Sequence, residues 1–210
     1  MNNSLAHTTR LLGAALRALL ALTVLTGVVY PLAVTGVAQA FFAGRANGSE
    51  ITSHGRVVGS ALIGQRDHGL RYFQPRPAAG LGENTANTRY RLVLSGATNL
   101  AADNEKLVKA VERAKARVIE DNSVPGHPVR PSQVPADAVT SSGSGLDPAI
   151  SPRYADLQVR RVAARNGLPV SAVRELVAAH TEGRTLGFIG EPRVNVLELN
   201  LALENLVARR

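Results

Sequence analysis

Residues 141–152, SSGSGLDPAISP, combine small residues with an acid, as loops that hold phosphates often do. In a phosphate-binding loop the glycines let backbone N–H groups face the phosphates, and a lysine neutralises the charge. Here no lysine follows, and Asp147 would repel a phosphate unless a metal or an arginine intervened. Two interpretations stay open: an anion site near a helix N-terminus, and a turn capped locally by Asp147 and Ser151, which the missing lysine favours. The candidate nucleotide-binding residues are Ser142, Gly143, Ser144 and Gly145.

Other catalytic chemistry has little support in the side chains. The chain has no cysteine, which excludes disulfides, zinc–cysteine clusters and thiol catalysis. The five histidines lack metal-ligand spacing such as HExxH, and no nucleophile-elbow pattern frames a serine. We therefore predict no catalytic and no metal-binding residue, with an exported hydrolase using Ser142 or Ser144 as an alternative. Four charges before the last helix are predicted to pair, in a structural or partner-binding role: Glu182, Arg184, Glu191 and Arg193.

The N-terminal region carries a long uncharged run at residues 18–42. As a helix, this run would rise roughly 37 Å, against a hydrocarbon core of about 30 Å. Tyr30 and Pro31 lie within it, and a proline is tolerated in a membrane span. The run exceeds the length of a secretory h-region, so an uncleaved anchor is favoured. Basic residues before it favour a cytosolic tail (1–17), a span (18–42) and an extracytoplasmic domain (43–210).

The remaining chain predicts a single α+β domain with a small sheet and three to four helices. Strands are predicted over residues 55–64, continuing through 70–80, and over 89–99. Helices are predicted after Asp103 or Asn104, from Ser151–Pro152 to Gly167, over 171–184, and after Asn195. A connection with four prolines, residues 125–135, separates the first two helices.

The net charge of +8 allows anionic partners, including nucleic acid, although a solvated basic surface is the interpretation that the scattered arginines favour. Residues 153–180 resemble a helix-turn-helix with an arginine-rich first helix. A membrane-tethered DNA-binding regulator is therefore the alternative function. DNA would be out of reach of a domain outside the cytoplasm.

Six ordered blocks of sequence resemble a known family. They are GSALIGQ, YFQPRPAA, SGATNLAADN, SGSGLDPAISP, HTEGRTLGFIGEPRVNVLELNLAL, and the Tyr30–Pro31 pair inside a single span. In the order in which they follow one another along the chain, these blocks resemble the C subunit of the Kdp potassium-transporting ATPase, over residues 10–207.

The resemblance implies a non-catalytic accessory subunit of the bacterial plasma membrane. Its expected partners are a channel-like potassium-binding subunit, a P-type ATPase subunit, a small helical subunit and the lipid bilayer, with no nucleic acid. The complex is expected to take up potassium at the expense of ATP. The subunit is expected to bind no cofactor tightly, and to act as a catalytic chaperone that raises the ATP affinity of the pump subunit. The family's nucleotide binding falls on Ser142 to Gly145 here, but an extracytoplasmic domain does not meet cytosolic ATP. Docking at the outer mouth of the potassium-binding subunit fits that topology better.

Overall fold

The computed structural model describes residues 2–65, 69–77 and 95–209, which divide into two units, Met1–Ser49 and Glu50–Arg210. The first unit is mainly helical: α1 (Asn2–Val24), a π-helical turn (Leu25–Val29) and α2 (Tyr30–Ala46) follow one another. Helix α2 is kinked at Phe42, whose φ of −138° and ψ of 36° are not helical. The stretch Ala6–Ala46 is long and apolar enough to cross a membrane, and none of it is buried in the protein. The predicted span, residues 18–42, lies inside this helix, and its bounds stay a prediction.

The π-helical turn lies directly before the proline of the span. The N–H of Tyr30 donates to the carbonyl of Leu25, five residues back, instead of four. Pro31 has no N–H to donate, so the helix already lacks one bond at this point. A single π turn is a common way for a helix to absorb such a defect.

The second unit begins with a β-hairpin of β1 (Glu50–Ser53) and β2 (Arg56–Ser60). Its two turn residues, His54 and Gly55, have φ of 50° and 75°, as tight hairpin turns require. The strand predicted over residues 55–64 is thus wrong at its end. The chain turns after Ser60, whose hydroxyl accepts from the N–H of Leu62 at 3.1 Å.

The described residues in the rest of the unit form four α-helices, two short 3₁₀ turns (Pro131–Gln133 and Ala136–Ala138) and a second sheet. The helices are α3 (Glu105–Asn122), α4 (Pro152–Asn166), α5 (Val170–Ala179) and α6 (Val196–Ala208). The sheet has antiparallel strands in the order β3 (Ala149–Ile150), β5 (Arg193–Asn195), β4 (Thr181–Glu182). This confirms the predicted α+β class, with one long apolar helix followed by a domain of small sheets and helices.

Side-chain caps determine where three of the helices begin. Asn104 accepts from Lys106 N, Ser151 from Tyr154 N, and Asn195 from the amides of Leu197 and Glu198. These caps satisfy N–H groups that have no partner inside the helix. The predicted helix starts at these three positions are confirmed.

Helix α5 is shorter than predicted. It ends at Ala179 rather than at residue 184, because Thr181 and Glu182 pair with β5 instead of continuing the helix. The hydroxyl of Thr181 also donates to the carbonyl of Val177 at 2.8 Å, which satisfies one of the last helical acceptors.

The core lies between the helices and the three-stranded sheet. Its fully buried side chains come from α4, α5, β5 and α6, and from Phe73 in the irregular segment 69–77. Residues 70–77 were predicted to continue a strand, which is wrong. The predicted strand over 89–99 falls largely outside the described residues, and residues 95–99 are irregular.

Two buried amide side chains replace a neighbouring strand along segment 69–77. Asn200 of α6 accepts from Phe73 N at 2.8 Å and donates to Phe73 O at 3.0 Å. Gln158 of α4 accepts from Gln74 N at 2.6 Å and donates to Gln74 O at 3.1 Å. Each amide thus satisfies both backbone groups of one residue, as a paired strand would.

A buried arginine, together with these two amide side chains, forms what we call the clamp on segment 69–77. Arg161 of α4 is 1% exposed and donates to the carbonyls of Leu70 and Tyr72, the latter at 2.8 Å. It also donates to Asn122 Oδ1 at 2.9 Å and to Gln158 Oε1 at 2.7 Å. Burial lowers the pKa of Arg161 to about 10, so the guanidinium remains charged at neutral pH. Segment 69–77 is thereby held against α4 and α6.

Candidate functional site

The glycine–serine loop, residues 141–147, is closed by its own hydrogen bonds. Gly145 N donates to Ser142 O at 3.1 Å, and Gly145 has a φ of 67°. Leu146 N donates to Ser144 Oγ at 3.1 Å, and Asp147 N to Ser142 Oγ at 3.4 Å. Three successive amides are therefore used inside the loop instead of pointing at a ligand. In the part of the chain described, the two serine hydroxyls bond to each other at 3.2 Å and not to a histidine.

Asp147 is neutralised by an arginine that the sequence did not single out. Arg76 Nη1 lies 2.9 Å from Asp147 Oδ2, and Arg76 Nε donates to Thr140 O at 3.3 Å. The other carboxylate oxygen, Oδ1, accepts from Ala149 N at 3.0 Å, at the start of β3. The arginine that a phosphate would need beside Asp147 is thus already engaged by that carboxylate. Its position in the clamped segment 69–77 explains why local sequence gave no signal for it.

Two other backbone segments pack onto the same loop. Gly64 N donates to Leu146 O at 2.7 Å, and Gly96 N to Ser144 O at 2.8 Å. A Cβ at Gly64 would lie 2.7 Å from the carbonyl oxygen of Asp147, so only glycine fits there. Gly143 instead faces open space. The loop is therefore a junction between distant segments, and its nucleotide-binding role stays a prediction.

A second acid is also engaged inside the domain. Asp137 accepts from Ser151 N at 2.7 Å and from Ser151 Oγ at 3.0 Å, just before α4. Ser151 Oγ in turn accepts from Tyr154 N at 3.0 Å. The carboxylate thus supports the N-terminus of a helix, where negative charge is favourable.

The four predicted charges before α6 form two ion pairs. Arg193 Nε lies 2.8 Å from Glu182 Oε2, across the β4–β5 pair. Arg184 Nη2 lies 3.0 Å from Glu191 Oε2, and this pair is two residues closer to the turn that joins the strands. The two pairs lie at the base of a hairpin, residues 182–193, which we call the apolar hairpin after its tip. Their net charge is zero.

The tip of the apolar hairpin exposes three large apolar side chains. Leu186, Phe188 and Ile189 are 79%, 72% and 51% exposed. The backbone beneath them is ordered, because Thr185 and Ile189 exchange both backbone hydrogen bonds at 2.9 Å. Leu186 also has a φ of 55°, a costly conformation for a leucine. An ordered loop that presents apolar side chains to solvent has the character of a contact surface.

The predicted helix-turn-helix region is a packed helical hairpin. Gly167 ends α4 with a φ of 63°, as predicted. One arginine of the arginine-rich first helix, Arg161, is buried and bonded to the protein itself. The second helix presents Arg174, which lies 3.4 Å from Asp156 of α4, next to the acidic Glu175. The second helix, which would read the bases, thus offers one arginine, and that arginine is already paired with an acid.

Tyr30 and Pro31 lie in the helical unit, where Tyr30 is 66% exposed. The structure thus distributes the predicted site residues over three places: the span, the glycine–serine loop and the apolar hairpin. Sequence reasoning missed Arg76, Arg161 and the exposed tip. A run such as LGFIG has the composition of a buried strand, so its exposure has no local signal.

Comparison with known proteins gives one consistent result. The family model described as K+-transporting ATPase, c chain, matches residues 12–205. A Potassium-transporting ATPase KdpC subunit of Streptomyces coelicolor is 67% identical over 220 positions, covering 99% of this chain and 98% of the relative. Proteins of the same name from Mycobacterium tuberculosis H37Rv and Koribacter versatilis are 47% and 48% identical, covering 91% and 87% of this chain and 96% and 88% of theirs.

Proposed function

The chain belongs to the KdpC family of K+-transporting ATPase subunits, and from that premise we propose that it is the membrane-anchored assembly subunit of such a complex. The observation that carries the proposal is the family match over residues 12–205, which includes both the apolar helix and the domain. The subunit has no hydrolytic reaction of its own in this proposal. It acts by contact with the subunits that bind potassium and hydrolyse ATP.

The proposed orientation places the N-terminus in the cytosol and the domain outside. His7, Arg10 and Arg17 precede the uncharged run, and no acid precedes it. A protease added to intact spheroplasts is expected to cut the domain, whereas a cytosolic domain would be protected. Protection would overturn the orientation and revive the DNA-binding alternative.

The apolar hairpin is the proposed contact with the potassium-binding subunit. Leu186, Phe188 and Ile189 are presented by an ordered loop, so little conformational entropy is lost when they enter a pocket. The base of the hairpin is two closed ion pairs with no surplus charge. A hairpin whose charges cancel suits a protein pocket better than the surface of an anionic bilayer, which attracts clusters of unpaired Lys and Arg side chains. Among the expected partners, the potassium-binding subunit offers an outer mouth to an extracytoplasmic domain.

The chaperone effect on ATP is proposed to be indirect. A subunit that binds one conformation of the pump better than another raises the population of that conformation, and with it the ATP affinity. Direct nucleotide contact through Ser142 to Gly145 has less support, because the amides of residues 145–147 and the guanidinium of Arg76 are engaged inside the domain.

The test uses complexes assembled with the wild-type chain, with Phe188→Ser, or without the chain. Phe188→Ser removes the aromatic contact from the tip and is expected to release the chain during purification. The KM for ATP of potassium-stimulated hydrolysis is then expected to rise toward that of the complex without the chain. Val108→Ser is the matched control, since Val108 is 42% exposed on α3, outside the hairpin. Stable assembly of the Phe188→Ser chain with an unchanged KM would refute the docking role.

A separate variant tests the glycine–serine loop. A Cβ at Gly143 meets no atom within 4 Å, so Gly143→Val is tolerated sterically and yet blocks an approaching phosphate. We expect an unchanged KM for ATP with this variant. A raised KM in a normally assembled complex would assign the nucleotide to the loop.

A further inference from the structure

A basic cleft lies between α4, α5 and the proline-rich connection of residues 125–135. Its volume is about 710 Å³. Four arginines line it, all of them exposed: Arg130, Arg153, Arg160 and Arg174. None of the residues 142–145 lines it, so it is separate from the glycine–serine loop.

Helix geometry brings two of these arginines to one wall. Arg153 and Arg160 are seven residues apart on α4, which is close to two turns, so they lie on the same helix face. Arg153 Nη2 donates to Ser132 O at 3.2 Å, which holds the connection over this face. Arg130 belongs to the connection itself and Arg174 to α5, so the four arginines that line the cleft come from three elements.

The cleft has an excess of positive charge. Among its described lining residues the only carboxylate is Asp156, which lies 3.4 Å from Arg174. Four arginines against one acid leave a surplus of three positive charges. Clustered like charges repel each other, so an anion that enters the cleft relieves that repulsion.

We infer that this cleft binds a phosphate-bearing anion. Guanidinium groups hold phosphate oxygens through paired N–H donors, which favours a phosphate over a point-charge ligand. The same chemistry fits two sources, a free phosphate compound and the phosphodiester headgroup of a lipid.

The test titrates the full chain, in neutral detergent, with two probes. Pyrophosphate stands for a free phosphate compound, and glycerophosphoglycerol stands for a phosphodiester headgroup. We expect saturable binding of at least one probe in isothermal titration calorimetry, weakened by added salt. Tighter binding of pyrophosphate assigns a free phosphate, and tighter binding of glycerophosphoglycerol assigns a headgroup. Absence of saturable binding for both probes overturns the inference.

Variants then locate the binding. Arg153→Gln with Arg160→Gln removes two guanidinium groups from one wall, and an affinity loss of about tenfold or more is expected. Arg113→Gln with Arg165→Gln removes the same charge from exposed positions outside the cleft, and should change the affinity by less than about twofold at moderate salt. Equal losses in the two double variants would show a general charge effect and overturn the assignment of the cleft.

Discussion

Replacement of Asn200 by leucine tests whether side chains truly replace a strand along segment 69–77. Asn200 is 6% exposed and satisfies both the N–H and the carbonyl of Phe73, at 2.8 and 3.0 Å. Leucine has a similar volume and no polar atom, so both backbone groups lose their partner. An unsatisfied buried polar group costs about 1–3 kcal/mol, so with two such groups the expected loss of unfolding free energy is about 2–6 kcal/mol. That is a large part of the roughly 5–15 kcal/mol that holds a domain folded.

The assay is urea unfolding of the full chain in mild detergent. With a slope of about 2 kcal/mol per molar urea, the expected loss lowers the midpoint by about 1–3 M. Asn205→Leu is the matched control, because Asn205 is exposed on the same helix and undergoes the same change. Equal midpoints for the two variants would refute the clamp.

Further predictions concern neighbouring contacts. Gly64→Ala should destabilise the chain by about 1–3 kcal/mol in the same assay, because its Cβ has no room, whereas Gly69→Ala meets open space and should not. Arg161→Lys should lower the free energy of unfolding by more than about 2 kcal/mol, since an ammonium cannot reach every acceptor of the guanidinium. The same change at the exposed Arg160 should leave the free energy of unfolding nearly unchanged. The hydrogen bond that Tyr72 donates to the carboxylate of Glu204 on α6 is the main cause that raises the pKa of Tyr72. Subtracting the tyrosinate absorbance of Tyr72→Phe from that of the wild type isolates this group, and the difference should show titration above pH 10. Stability from that bond is therefore fully present below about pH 10 and is lost as the pH rises through the raised pKa.

Local signals predicted the helices well because their determinants are close in sequence. Ser151 followed by Pro152, and a glycine one residue after Asn166, are short-range features that defined α4 at both ends. The strands were harder, because β3 and β4 have two residues each, too few for an alternating pattern.

The contacts that organise the candidate site were beyond local reasoning. Arg76 and Asp147 are 71 residues apart, and nothing near either residue indicates the other. By its sequence Arg161 cannot be distinguished from its exposed neighbours in an arginine-rich helix. Its burial is tolerated because four oxygen acceptors surround the guanidinium. Tertiary hydrogen bonding decided these positions, so residue type alone predicted them poorly.

The π turn at Leu25–Val29 also affects how the anchor responds to its surroundings. The turn is wide, and the following proline contributes no bond, so tilting the two halves of the helix against each other breaks fewer hydrogen bonds here than at any regular turn. Bilayers of different thickness can therefore be accommodated by a change of angle at one defined depth.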